Sequence, residues 1–286
     1  MRQTTPESLI AALDALPTLP NLRETLAQAL SNPYSSFGAL TDIIGLDVVM
    51  AARLIGAANR PQGGTPRRNI TSINKALRIL GFDAVRALLA SQPVISEPTT
   101  EPAGSSSFVV RDLWLHSVAA AVAARAIAVQ MAYPEPDEYY LAGLLHDIGK
   151  IAMLRIRPNQ FHALAVQAAA SQRTFYQCEM DNGQPSHAVL GRILLRQWSL
   201  PSALGEVAGR HHTPQSDSAA PRLLATAHIA DILARALGVG SGGDPFVPPL
   251  KPVASVQVAL RPSNVETLLT EIDCELSRVM AALAPS

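Results

Sequence analysis

The stretch Leu141–Leu154, LAGLLHDIGKIAML, restricts the fold more than any other part of the chain. It is apolar on every side of a helix except at His146, Asp147 and Lys150. A helix that is apolar all round is a buried helix. Two adjacent polar side chains inside one must find partners, because a buried polar group left unpaired costs about 1–3 kcal/mol. Other segments carrying complementary polar groups must therefore pack around this one. Lys150, one turn after His146, can present its ammonium to a phosphate as a point charge.

The sequence offers such partners. All seven histidines, at positions 116, 146, 162, 187, 211, 212 and 228, fall within residues 109–237. Asp112 and His116 are spaced i, i+4 and share a helix face. His187 opens SHAVLGRILLRQW, with Gly191 one turn later leaving room on its face. His211 and His212 close a helix just before Pro214, and His228 and Asp231 are spaced i, i+3. Imidazole with carboxylate suits Fe, Mn, Zn or Ni rather than Ca. His116, His146, Asp147, His187, His211, His212 and Asp231 together offer enough ligands for one such ion or two. A pair of ions can clamp the attacking and leaving oxygens of a phosphoryl group. A lone histidine on an apolar helix is ordinarily a hydrogen-bonded core residue, which is the reading expected for His162 and His228. His211 and His212 also suit a helix C-terminus, whose dipole favours imidazolium.

Composition sets the fold class. Ala and Leu supply much of the 48% hydrophobic content, and aromatics are only 5%. Strong helix formers without β-formers predict an all-α chain of two helical lobes. Residues 6–91 form the first, with Leu22, Leu26 and Leu30 on one face and Gly81 closing a stripe of Ile73, Leu77 and Leu80. Residues 92–108, rich in Pro, Ser, Thr and Gly, read as a linker open to proteases. Residues 109–237 form the second lobe, with helices near 111–131, 136–156, 159–172, 186–198, 201–212 and 220–237. Residues 238–286 hold a Gly/Pro-rich stretch, Gly238 to Pro252, that leaves the packed core, then a helix near Asn264–Leu283. Val253–Leu260 reads as a short strand.

The 23 basic and 23 acidic residues cancel, so there is no cationic excess of the kind that broad nucleic-acid binding needs. Cys178 and Cys274 make no disulfide framework and are expected to be reduced thiols. The N-terminus lacks the apolar run of a secretory signal. The most apolar segment, Ser117–Met131, is short and broken by Arg125. No membrane association and a cytoplasmic location are expected.

In order along the chain, DLWLHSVAAAVAARAIA, YYLAGLLHDIGKIAML, SHAVLGRILLRQWSLP, GRHHTP and HIADILAR resemble the HDOD (HD-related output domain) family. LPTLP, LTDIIGLD, RLIGAAN and NITSINKALRILGFDAVRALL resemble its first half. The resemblance covers roughly residues 13–237. It implies an all-α fold and a bacterial regulatory role, often beside two-component or cyclic-dinucleotide pathways. The family is generally regarded as a non-enzymatic branch of the HD phosphohydrolases. Metal positions of the HD superfamily would fall on His116, His146, Asp147 and Asp231, and the two-metal HD-GYP branch would add His187, His211 and His212. After His212 stands Thr213-Pro-Gln-Ser, without the Gly-Tyr-Pro segment of the cyclic-di-GMP phosphodiesterases. Asp47-Val48 and Asn59-Arg60 replace the family's usual Asp-Pro and Asn-Ser. The expectation is a stand-alone signalling protein that acts through a protein partner or a bound ligand such as a nucleotide. The alternative is a metal-dependent phosphohydrolase or phosphodiesterase with Lys150 in a catalytic role.

Overall fold

The computed structural model describes residues 16–61, 68–93 and 107–283. The helices are α1 (Pro20–Ser31), α2 (Phe37–Gly45), α3 (Val48–Asn59), α4 (Ile73–Ser91), α5 (Ser107–Gln130), α6 (Pro136–Leu145), α7 (Ile148–Ile156), α8 (Pro158–Ser171), α9 (Phe175–Asp181), α10 (His187–Gln197), α11 (Ser202–Arg210), α12 (Pro221–Ala236), α13 (Pro252–Val258) and α14 (Pro262–Leu283). No strand occurs among the described residues, so the chain is all-α.

The N-terminal helices are punctuated by side chains that the backbone needs. Asp47 caps α3, its Oδ1 accepting the Val49 and Met50 N–H groups at 3.0 Å each, and the Thr18 hydroxyl donates to its other oxygen. The Asn59 amide donates to the Ile55 and Ile70 carbonyls and its oxygen accepts from the Ile70 N–H, which pins the entry to α4. Leu22, Leu26 and Leu30 are all buried. Gly81 interrupts α4 with φ 76°, where the stripe of Ile73 and Leu77 ends. Gln92 is buried, and its carbonyl accepts from Arg23 at 2.6 Å. Ser107 already lies in α5. The rest of the expected linker, 94–106, lies outside the described residues.

Buried apolar side chains run as one continuous cluster from Leu16 to Leu276, so the N-terminal and C-terminal halves share a core. At their junction Gly56 of α3 lies so close to the Trp198 carbonyl oxygen that a Cβ would overlap it. The Arg53 guanidinium stacks on the Trp198 ring at 5.1 Å. Tyr140 donates its hydroxyl to the Gly45 carbonyl at 3.0 Å, and Ser72 donates to Asp137 at 2.8 Å. Residues Arg111–Gln130 of α5 are long and apolar enough to cross a membrane, but 72% of their apolar window is buried, which marks a core helix.

Three expectations fail in ways that matter for the site. The helix expected over 136–156 is two helices, α6 and α7, broken at His146 and Asp147. Asp147 has φ −104° and ψ 12°, off the helical values, so its carboxylate turns sideways into the interior. The stretch from Gly238 to Pro252 leaves the core only after Asp244: Gly242 and Asp244 are buried, and Pro245 to Pro252 are half-exposed to exposed. Residues 252–258 form α13 rather than a strand, because Pro252 starts a helical turn whose Ala254 and Val258 face inward.

Candidate metal centre

The corner between α6 and α7 is the centre of the site. His146 donates Nδ1–H to the Gly143 carbonyl at 2.6 Å, which aims Nε2 at Asp147 and Asp231. From α5, His116 Nε2 comes within 3.0 Å of Asp231 Oδ1 and 3.5 Å of Asp147 Oδ2. From the other side, His187 Nε2 is 3.2 Å and His211 Nε2 3.5 Å from Asp147 Oδ1. His212 Nε2 stands 3.0 Å from His187 Nε2. All seven expected ligands therefore converge, in two groups: His116, His146 and Asp231, and Asp147, His187, His211 and His212. The two oxygens of Asp147 face one group each.

The donor set fits a transition-metal ion. His116 Nε2, His146 Nε2, His211 Nε2, Asp147 Oδ1 and Asp231 Oδ2 are buried with no hydrogen-bond partner. Buried polar atoms are paired in the great majority of cases, and here the unpaired ones point at common centres. On His146, His187 and His211 the other ring nitrogen is fixed, as in metal-bound histidines, while His116 Nδ1 has no hydrogen-bond partner. His187 donates Nδ1–H to Glu179 at 2.5 Å, and His211 donates Nδ1–H to the Val207 carbonyl at 3.2 Å.

Lys150 is fully buried and donates to Asp147 Oδ2 at 2.7 Å. Burial works against charge on Asp147, yet Lys150 and His146 hold its carboxyl well below the usual range. Arg235 does the same for Asp231 against the same penalty. Burial disfavours imidazolium at His146, but Asp147 and Asp231 outweigh it and raise the pKa to about 9. His187 is likewise raised, mainly by Glu179 acting against burial. Burial pushes His211 down to about 4, and burial together with His211 and His187 holds His212 well below its ordinary value.

This split has a measurable consequence. Metal binding needs neutral imidazole. At pH 7 a proton must leave His146, whose raised pKa keeps it cationic until about pH 9. Affinity for Zn or Mn is thus expected to rise as pH climbs from about 6.5 to about 8.5, with protons released on binding. Chelator competition at the two pH values checks this. An affinity that does not change would contradict it.

The remaining histidines behave as core or surface groups. His228 donates Nδ1–H to the His211 carbonyl at 2.8 Å and accepts the Lys251 N–H at 3.2 Å. His162 lies against Phe161. Asp112 shares the face of His116 but contributes its carbonyl, to the Ser241 N–H, rather than its carboxylate.

Four residues were not anticipated. Glu179 holds His187 by both its ring and its backbone N–H. Arg235 donates Nε–H to Asp231 at 2.8 Å. Asp244 binds Arg235 from the far side. Tyr176 of α9 stacks on His212 with ring centroids 4.3 Å apart. The Asp231–Arg235 spacing of i, i+4 and the Thr174–Gln177 capping box ahead of Glu179 were the available signals.

The HDOD domain family model matches residues 16–214. The chain belongs to the HDOD family. No curated protein is significantly similar to it. Among solved structures, the MmoQ response regulator of Methylococcus capsulatus superposes with a TM-score of 0.68 at 22% identity, covering 89% of this chain and 98% of that one. A virulence factor of Campylobacter jejuni gives 0.57 at 17% identity, covering 89% and 97%. At these identities the likeness is one of fold. The HDOD match ends before α12, so Asp231, Arg235 and Asp244 lie beyond it.

Proposed function

We propose that this HDOD protein is a cytoplasmic signalling module that acts on a protein partner, and whose His/Asp cluster holds one or two Fe, Mn, Zn or Ni ions as part of a ligand-responsive switch. The observation that carries the reading is enclosure. His116, His146, Asp147, His187, His211 and Asp231 are each at most 2% exposed, and His212 alone is half-buried. His116, His146, Asp147 and Asp231 would hold one ion, and Asp147, His187, His211 and His212 the other. When bound, such an ion supplies Lewis acidity toward a phosphoryl oxygen. The chain's own residues orient and protect that centre: Glu179 and the Gly143 and Val207 carbonyls fix the rings, and Arg235 fixes Asp231. The response-regulator name of the similar Methylococcus protein supports a signalling role.

A second reading, a metal-dependent phosphohydrolase, is favoured by Lys150, which sits against Asp147 where it can steady a phosphoryl group. Hydrolysis also requires the diester held in line with its nucleophile, which is worth about 7–11 kcal/mol in favourable cases. The segment Thr213–Ser218 supplies no Gly-Tyr-Pro cradle. Tag-free protein is therefore expected to carry metal by elemental analysis. Loaded anaerobically with Fe or Mn, it is expected to leave cyclic-di-GMP intact. Robust linear-dinucleotide production, abolished by His146→Ala and Asp147→Ala, would put the hydrolase first. Metal-free protein with full regulatory activity would remove the metal from the switch.

A further inference from the structure

The strap from Gly238 to Phe246 lies over the Lys150 side of the cluster. Its Asp244 side chain is enclosed, and every hydrogen bond it makes is to a donor that suits an anion. Oδ1 accepts from Arg235 Nη1 and from the Phe246 N–H, both at 3.0 Å. Oδ2 accepts from the Phe175 N–H at 2.9 Å. Arg235 is itself nearly buried, its side chain 6% exposed. One guanidinium thus joins a carboxylate of the cluster, Asp231, to a carboxylate of the strap.

The second buried cation is adjacent. Lys150 Nζ is 3.2 Å from the point where a side chain on Gly242 would begin, so the strap backbone lies directly on the ammonium. The Phe175 ring, 5.6 Å from Nζ, walls the same space. A guanidinium fork recognises phosphate by the same paired geometry that it offers carboxylate. Arg235, Lys150 and the Phe175 N–H would therefore make a phosphoryl seat if the strap were lifted.

The strap is built to lie close and to be released. Gly240 has φ 66°, and a Cβ there would overlap the Asp112 carbonyl and the His116 N–H. Glycine permits both the left-handed conformation and the contact. Apart from Asp244, the strap is tied to the rest of the chain, among the described residues, by four hydrogen bonds: the Gly238 and Val239 N–H groups to the Arg235 and Ala234 carbonyls at its start, the Ser241 N–H to the Asp112 carbonyl at 3.1 Å, and Arg235 Nη1 to the Phe246 carbonyl at 3.3 Å, which displacing the strap would also break. The segment beyond it is half-exposed to exposed from Pro245 to Leu250.

We propose that Asp244 is an internal plug in a phosphoryl-binding seat formed by Arg235, Lys150 and the Phe175 N–H, and that a phosphorylated small molecule binds there by displacing the strap. The inference builds on the reading of the cluster as a ligand-responsive switch and supplies the chemical class of the ligand. With the strap closed, Asp244 neutralises Arg235. With it open, the guanidinium keeps Asp231 alone and a phosphoryl dianion restores the balance.

The probe is inorganic phosphate, titrated calorimetrically into the full chain as purified, with hydrogen exchange followed at residues 241–246. Asp244→Asn removes the plug's charge, and Gly240→Ala forces the strap outward without touching the seat. Each variant is expected to bind phosphate at least about tenfold more tightly than the parent, a difference of about 1.4 kcal/mol. Saturating phosphate is expected to speed exchange across 241–246 in the unmutated protein, an arm that needs no variant to fold. Two folded variants that bind phosphate no better than the parent would overturn the proposal, as would a strap equally protected with and without phosphate. Repeating the titration after chelation separates the two readings. A gain that survives metal removal, or that appears in protein that never held metal, upholds the seat whatever becomes of the metal. A gain that vanishes with the metal places the phosphate on the ion and overturns the seat.

Discussion

Asp147→Ala is expected to destabilise the fold by about 3–5 kcal/mol, the usual cost of breaking a buried ion pair from one side. Lys150 is fully buried and donates to Asp147 at 2.7 Å. Removing that carboxylate leaves an ammonium in the core with no acceptor that the structure records. It also strips the neighbouring histidines of the charge that holds His146 in its cationic form. Both candidate ligand groups border Asp147, so metal content should fall to background. Urea unfolding with elemental analysis reads both effects. Asp147→Asn, which keeps an acceptor oxygen without the charge, should fall between the two. A midpoint for Asp147→Ala equal to the parent's would mean that the pair does not hold the corner together.

Gly149→Ala should be almost as damaging for a different reason. A Cβ at 149 would overlap the His187 carbonyl oxygen and lie 2.7 Å from the Gly191 nitrogen. Both are backbone atoms of α10, so no flexible side chain can yield, and α7 and α10 must part. Overpacking a core costs roughly 1–3 kcal/mol, and more where backbone is displaced. The displaced helix carries His187. The group of Asp147, His187, His211 and His212 should therefore open while His116, His146 and Asp231 keep their places. Metal content would drop without disappearing, in contrast to Asp147→Ala. A variant with the parent's melting temperature and full metal content would show that the helices have slack at this crossing.

The helical class was legible from composition and period, and the side chains that converge on the α6–α7 corner were legible from their residue types and spacing. Leu22, Leu26 and Leu30 mark a buried face by period alone. His116, His146, Asp147, His187, His211, His212 and Asp231 stand out because imidazoles and carboxylates in apolar helices have few reasons to be there. The corner at His146 and Asp147 was not legible. No proline marks it, and Leu144, Leu145, Ile148 and Ile151 keep an apolar pattern through it. The break is imposed by where Asp147 must point, which is a tertiary fact. Glu179 and Tyr176 were hidden in a short segment of mixed polarity whose only signal was a capping box. Composition misleads most at Gly238–Asp244. A Gly-rich stretch looks the same whether it is free or pressed against a surface that only glycine can approach.

Where Gly56 meets the Trp198 carbonyl, main chain rests on main chain. A side-chain interface can shear, because rotamers change and ridges step past one another. A bare contact of this kind has nothing to rearrange, so α3 cannot slide along the end of α10 without first lifting away. Any change in how the N-terminal helices sit against the end of α10 must therefore begin with a separation at Gly56, and a side chain placed there would force that separation.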